Sequence, residues 1–143
     1  MQEHCSPELI AEIVDAFNQK DFGAIANFFA KDGVFRTARG LAPGALSIVG
    51  PDAIKEYLAV RHAQFPDWQW VSSRNWCAGE YAVAEWTVSG TGPSNERFEW
   101  LGCDIFVFEA GKIKLKDTYW KSEVREILGT QIALRRSLQP NEK

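Results

Sequence analysis

Two aspartates interrupt an otherwise strand-like, apolar stretch, GCDIFVFEAGKIKLKDTYWK, Gly102 to Lys121. A carboxylate in such a strand is costly unless it is paired, hydrogen-bonded or protonated. If Asp104 and Asp117 face each other, repulsion makes one hold a proton, and the two become an acid–base dyad. If they face apart, Asp104 stands alone, as a working acid or base or as a structural carboxylate tied to Lys116. The turn between the strands decides. A two-residue loop, Ala110-Gly111, pairs Phe108 with Ile113 and sets Asp104 opposite Asp117. That loop asks for φ > 0 at its first residue, where alanine is strained. A type I turn through Glu109-Ala110, with Gly111 in a bulge, pairs Phe108 with Lys112, Phe106 with Lys114 and Asp104 with Lys116. Asp117 then points away. Turn chemistry favours this bulged register. It also sets Lys112 and Lys114 on the aromatic face, from whose mouth they must reach solvent.

Other groups can join Asp104. His62, the one histidine inside the folded region, titrates near neutral pH and is a candidate proton shuttle or a packed side chain. At 100° per residue from Ile54, Arg61 falls within the apolar stripe of its helix, to snorkel or to meet a buried acid. Lys116 can orient Asp104 or bind an acidic substrate, or sit in solvent. Glu85 shares a strand face with Val83 and Thr87, and its facing stays open; Asp67 in FPDW suits a turn. No H-x-x-x-H or clustered Cys/His spacing suggests a metal site, and no glycine-rich phosphate loop is present. GTGPSN is a turn. No metal and no cofactor is expected.

Elements must hold these side chains. Ser6-Pro7 caps and opens a helix with Leu9, Ile10, Ile13, Val14 and Phe17 on one face. Asp21 caps a second helix enclosing Phe22, Ile25, Phe28 and Phe29, which Gly33 ends. VFRT is a short strand and ARGLAPGALSIVG a loop. Pro51 opens a third helix with Ile54, Tyr57, Leu58 and Phe65, stopped at Pro66. From Trp68 onward the period is two: strands to Cys77, from Tyr81 to Ser89, from Glu96 to Glu109 and from Lys112 to Trp120. Ser122 caps a last helix, to residue 138, before a loose tail. Helices followed by long strands predict an α+β fold, a curved antiparallel sheet with helices on its concave face. The strand over 96–109 is apolar on both faces. Helices cover one; a second copy of the chain, packed through the outer sheet face, would cover the other.

With 143 residues the chain has the length of one domain, and 45% hydrophobic residues give it a core. Six Trp and nine Phe exceed what a core needs and suit an apolar pocket. A net charge of −3 without a basic block argues against nucleic acid and anionic membranes. No apolar run is long enough to span a bilayer, and the first residues lack the pattern of a signal peptide. Three cysteines without C-x-x-C read as reduced thiols of a cytoplasmic protein.

The order of elements, with FNQKD between the first two helices, FPDW before the sheet and CDIFVFEAGKI within it, resembles the nuclear transport factor 2-like superfamily. The SnoaL-like polyketide cyclase and ketosteroid isomerase-like branch is the most similar, over about residues 7–121. The resemblance implies a cone-shaped α+β fold, a deep pocket between sheet and helices, and homodimers. It aligns Asp104 with the aspartic acid that ketosteroid isomerases keep protonated as an oxyanion donor. The assisting tyrosine falls near Ile13 and the general base near Thr37, and neither residue here can do that work. A limonene epoxide hydrolase aspartate falls near Thr118. Steroid isomerisation and epoxide hydrolysis are therefore disfavoured. What remains is a pocket for a small apolar or carbonyl-containing molecule. Asp104, His62 and Lys116 are its candidate catalytic residues. Phe17, Thr37, Arg61, Trp100, Phe106, Thr118 and Trp120 are expected to line it. The alternative is a dimeric module that binds without turnover.

Overall fold

In the computed structural model, which describes residues 5–40, 42 and 45–121, the first helix starts where the capping residues require. The Ser6 hydroxyl accepts from the Leu9 amide at 3.1 Å, Pro7 opens α1 (Pro7–Gln19), and Ile10, Ile13, Val14 and Phe17 are buried. The Asp21 carboxylate accepts from the Ala24 amide and starts α2 (Phe22–Asn27). This helix stops earlier than expected. Phe28 caps it, and Phe29 opens β1 (Phe29–Arg36) rather than extending the helix to Gly33. β2 (Ser47–Val49) lies in the stretch read as loop; its pairing with β1, Phe35 opposite Ile48, specifies it rather than any local pattern. α3 (Pro51–Gln64) buries Ile54 and Leu58. β3 (Gln69–Ala78), β4 (Tyr81–Thr91), β5 (Arg97–Glu109) and β6 (Lys112–Trp120) follow. The expected helix at 122–138 and the tail at 139–143 lie outside the described residues.

The six strands form one sheet in the order β2-β1-β6-β5-β4-β3. The fold is α+β, with a mixed curved sheet and not a wholly antiparallel one: β1 runs parallel to β6. The intervening chain, with α3 and four strands, supplies the long crossover a parallel pair needs. Irregularities in β1, β3 and β6 shift the register and sharpen the bend of the strands.

Strand alternation sorts the two faces. Ala82, Ala84, Trp86 and Val88 of β4, with Phe106 and Phe108 of β5, are buried and pack with Ile10, Ile13, Ile25 and Ile54 from the helices. The outer face carries exposed Val71, Trp76, Tyr81, Leu101, Ile105 and Tyr119. Glu85 is on this outer side, bonded by Arg74 at 3.0 Å, and Asp117 lies 3.7 Å from Arg36. Among the described residues no helix is long and apolar enough to cross a membrane.

Candidate functional site

Neither register read from the sequence is the one formed. The turn is the two-residue loop: Ala110 at φ 49° and Gly111 at φ 77° pair Glu109 with Lys112 and Phe108 with Ile113. Left-handed backbone costs alanine about 1–2 kcal/mol. Burying a Phe or Ile side chain returns about 1.5–3 kcal/mol each. Phe108 and Ile113 are both fully buried, so packing outweighs turn strain. The bulge lies further on, at Lys114, which has no partner in the ladder. Beyond it the pairs are Phe106 with Lys116 and Asp104 with Thr118, so Asp117 is turned outward and no aspartate dyad exists. Lys112 and Lys114 also leave the aromatic face. Lys112 Nζ donates to the Asn27 carbonyl, and Lys114 pairs with Asp32 in the irregular part of β1. Gly33 allows this close approach, since a Cβ there would sit 2.5 Å from the Ile113 carbonyl oxygen.

The extra residue in β6 builds a buried polar group. Asp104 and Lys116 are each 5% exposed and Thr118 8%. Asp104 Oδ1 accepts from Lys116 Nζ at 2.9 Å and from Thr118 Oγ1 at 2.6 Å; Oδ2 accepts from Trp86 Nε1 at 2.9 Å. Lys116 Nζ also donates to Thr118 Oγ1 at 3.1 Å, and lies 4.9 Å and 4.4 Å from the ring centres of Phe17 and Phe35. Three donors converge on an acceptor-only group, the arrangement a carboxylate requires. This differs from the protonated oxyanion donor to which Asp104 was aligned. Trp86 was absent from the sequence candidates. Alternation gives its face, but its contact with Asp104 depends on Gly102 opposite, where a Cβ would lie 2.6 Å from Trp86 Cζ3.

Above this group lies a cavity of about 310 Å³ between the helices and the sheet. Asp104, Lys116 and Thr118 reach it from the sheet, and Phe17, Arg61 and His62 from the helices. Thr37, Trp100 and Trp120 stand around it, as does Ile13. Phe106 does not line it. It is 1% exposed and stacks on Phe108 at 5.6 Å, in the core beneath Lys116. His62 packs on Phe22 at 5.6 Å; among the described residues its buried Nδ1 has no partner and no hydrogen bond joins it to Asp104. The Thr37 hydroxyl is committed to its loop, donating to the Arg39 carbonyl at 2.9 Å and accepting from the Leu46 amide at 3.1 Å.

One wall is aromatic. Trp68 sits at its centre, 5.1 Å from Phe65, 6.2 Å from Trp100 and 5.7 Å from Trp120. Arg61 lies over Phe65 and Trp68, and Arg39, missed by the sequence reading, over Trp100 and Trp120. Nothing in the sequence around Arg39 marked it; its position follows from the loop that Thr37 pins. Burial lowers the Lys20 pKa against the pull of Asp67, and raises that of Tyr57 against Arg61. Among the described residues no three His, Cys, Asp or Glu side chains are grouped to hold a metal.

A curved sheet closed by three helices over a largely apolar cavity with one buried ion pair defines a pocket-bearing α+β domain. The chain belongs to the SnoaL-like domain family, whose pattern matches residues 10–115. No curated protein matches it. Among solved structures, a Catenulispora acidiphila protein with a ketosteroid isomerase-like fold, crystallised with trimethylamine, is 17% identical with a TM-score of 0.69, covering 80% of this chain and 86% of that one. A candidate polyketide cyclase from Xanthomonas campestris is 20% identical, TM-score 0.68, over 88% and 93%. A candidate SnoaL-like polyketide cyclase from Shewanella putrefaciens is 13% identical, TM-score 0.67, over 89% and 95%. At these identities the likeness is one of fold.

Proposed function

We propose that this chain is a small-molecule-binding domain whose pocket takes an apolar, carbonyl-containing compound. The observation that carries the reading is the Asp104–Lys116–Thr118 group, buried at the end of an apolar cavity. Lys116 has three N–H donors and spends two on Asp104 and Thr118, which leaves one for a ligand oxygen. Trimethylamine, the ligand of the Catenulispora neighbour, suits this pocket poorly, because Arg39 and Arg61 already cover the aromatic faces an ammonium would use. Crystals soaked with a library of aryl ketones test the site. Density is expected against Lys116, and the Asp104→Asn/Lys116→Met double variant should bind each hit at least tenfold more weakly. Hits that bind the double variant as tightly as the wild type, with density elsewhere, overturn the site.

A second reading, turnover, is favoured by the same pair. Asp104 would take a proton from the carbon next to the carbonyl: the C–H bond breaks, an O–H bond forms, and Lys116 donates to the developing enolate oxygen. Deuterium exchange into the bound ketone, followed by proton NMR, separates turnover from binding alone. The reading includes a homodimer through the outer sheet face, where Val71, Trp76, Tyr81, Leu101, Ile105 and Tyr119 are exposed. It should sediment at twice the chain mass; a monomer at high concentration overturns it. Three free thiols, Cys5, Cys77 and Cys103, support the cytoplasm as its place.

A further inference from the structure

Building on the pocket reading, we infer that the ligand is an organic anion, with an apolar body in the cavity and a carboxylate or similar oxyanion held by Arg39 and the Trp120 indole N–H. Charge is the first ground. Lys20, Arg39, Arg61 and Lys116 line the cavity, and Asp104 is the one acidic side chain among the described lining residues. Lys116 neutralises Asp104. Lys20, Arg39 and Arg61 have no carboxylate within ion-pair distance among the described residues, whose ion pairs engage Arg36, Arg74, Arg97, Lys114 and Lys116 instead. A protein of net charge −3 thus lines its pocket with three cations that have no carboxylate partner among the described residues, Lys20 donating only to the Trp68 carbonyl. Low-dielectric walls concentrate that field and draw an anion in.

Geometry is the second ground. Arg39 lies 5.0 Å from the Trp100 ring centre and 5.6 Å from that of Trp120. A guanidinium held over aromatic rings still carries five N–H donors, which match a carboxylate two bonds at a time. Beside it, Trp120 Nε1 is buried with no acceptor among the described residues. An indole nitrogen can only donate, and a buried donor left unpaired is a defect that an anionic oxygen repairs. Arg39 is also held in place. The Thr37 amide donates to the Leu46 carbonyl at 3.0 Å, and the Thr37 hydroxyl bridges the Arg39 carbonyl and the Leu46 amide. A neutral ligand could accept from the indole N–H but would leave the charge excess unanswered, and a cationic one would be repelled.

Three probes of one skeleton test the inference: 4-(2-naphthyl)-4-oxobutanoate, its methyl ester, and the amine in which an ammonium replaces the carboxylate. Binding to the full chain is measured by calorimetry at two salt concentrations. The acid should bind about tenfold or more tighter than the ester, and its advantage should shrink as salt rises. Arg39→Gln and Trp120→Phe should each remove most of that advantage, read as the ratio of acid to ester affinity within the same variant. Equal binding of acid and ester, or an advantage that survives both changes, overturns the anion inference and leaves the pocket reading standing. Tightest binding by the amine also overturns it. Failure of all three probes to bind overturns the pocket reading and the inference with it.

Discussion

Replacing Lys116 by Met removes the one cation paired with Asp104 among the described residues and leaves a carboxylate that is 5% exposed. Thr118 and Trp86 still donate to it, but hydrogen bonds from neutral groups do not cancel a buried charge. Breaking a pair of this kind by taking away one partner costs about 3–5 kcal/mol. That is a large part of the about 5–15 kcal/mol that holds a domain folded. Asp104→Asn strands the ammonium instead. Lys116 keeps Thr118 and the rings of Phe17 and Phe35, so the cost should fall at the low end, about 3 kcal/mol. The double variant is the informative one. An Asn at position 104 can turn its oxygen to Trp86 Nε1 and its amide to Thr118 Oγ1, and Met fills the space of the lysine stem. No charge is left buried, and the double variant should cost about 1 kcal/mol, less than either single change. Urea unfolding followed by far-ultraviolet circular dichroism measures all three. Additive losses, or a Lys116→Met cost under about 1 kcal/mol, would refute the reasoning, because either means that water already screens the pair.

Gly102→Ala should destabilise by about 1–3 kcal/mol, since the new methyl meets Trp86 at 2.6 Å and the Tyr119 carbonyl oxygen at 2.7 Å; a shift in tryptophan emission should accompany the loss in a urea titration. Ala110→Asn should stabilise by about 1 kcal/mol, because asparagine tolerates the φ of 49° that strains alanine, and the gain is read from the urea midpoint. Burial and the neighbouring Cys5 thiol push Cys77 up to about 11, so iodoacetamide should label it slowly at pH 8 and faster toward pH 11, by mass spectrometry of the digest. The folded thiol keeps its proton above the ordinary value of 9.0, where the unfolded one loses it. The stability contributed by this thiol is therefore intact below pH 9 and falls as pH rises toward 11; Cys77→Ala should flatten that decline.

The inner and outer faces were legible in the sequence wherever alternation ran unbroken. It placed Trp86 opposite to Glu85, and it set Phe106 and Phe108 with Asp104. Capping residues gave α1, α2 and α3 their starts, because Ser6, Asp21 and Pro51 act within one helical turn. The β6 register was not legible. Its bulge answers to β1, through the Gly33 approach and the Lys114–Asp32 pair, and contacts between residues so far apart leave no local pattern. β2 was missed for the same reason. In the site, the union of Asp104, Lys116 and Thr118 could be read from strand positions. Arg39 and the Trp86 bond could not, since one rests on a pinned loop and the other on the room left by a glycine across the sheet.

The bulge at Lys114 makes the chemistry of the cavity floor depend on strand register as much as on residue identity. Closing it, with Lys114 paired to Val107, would slide the rest of β6 by one residue, bringing Asp117 and Tyr119 under the helices and ejecting Lys116 and Thr118 to the far side. A fold with such a slip point can exchange a basic floor for an acidic one in one step, with every side chain that follows unaltered.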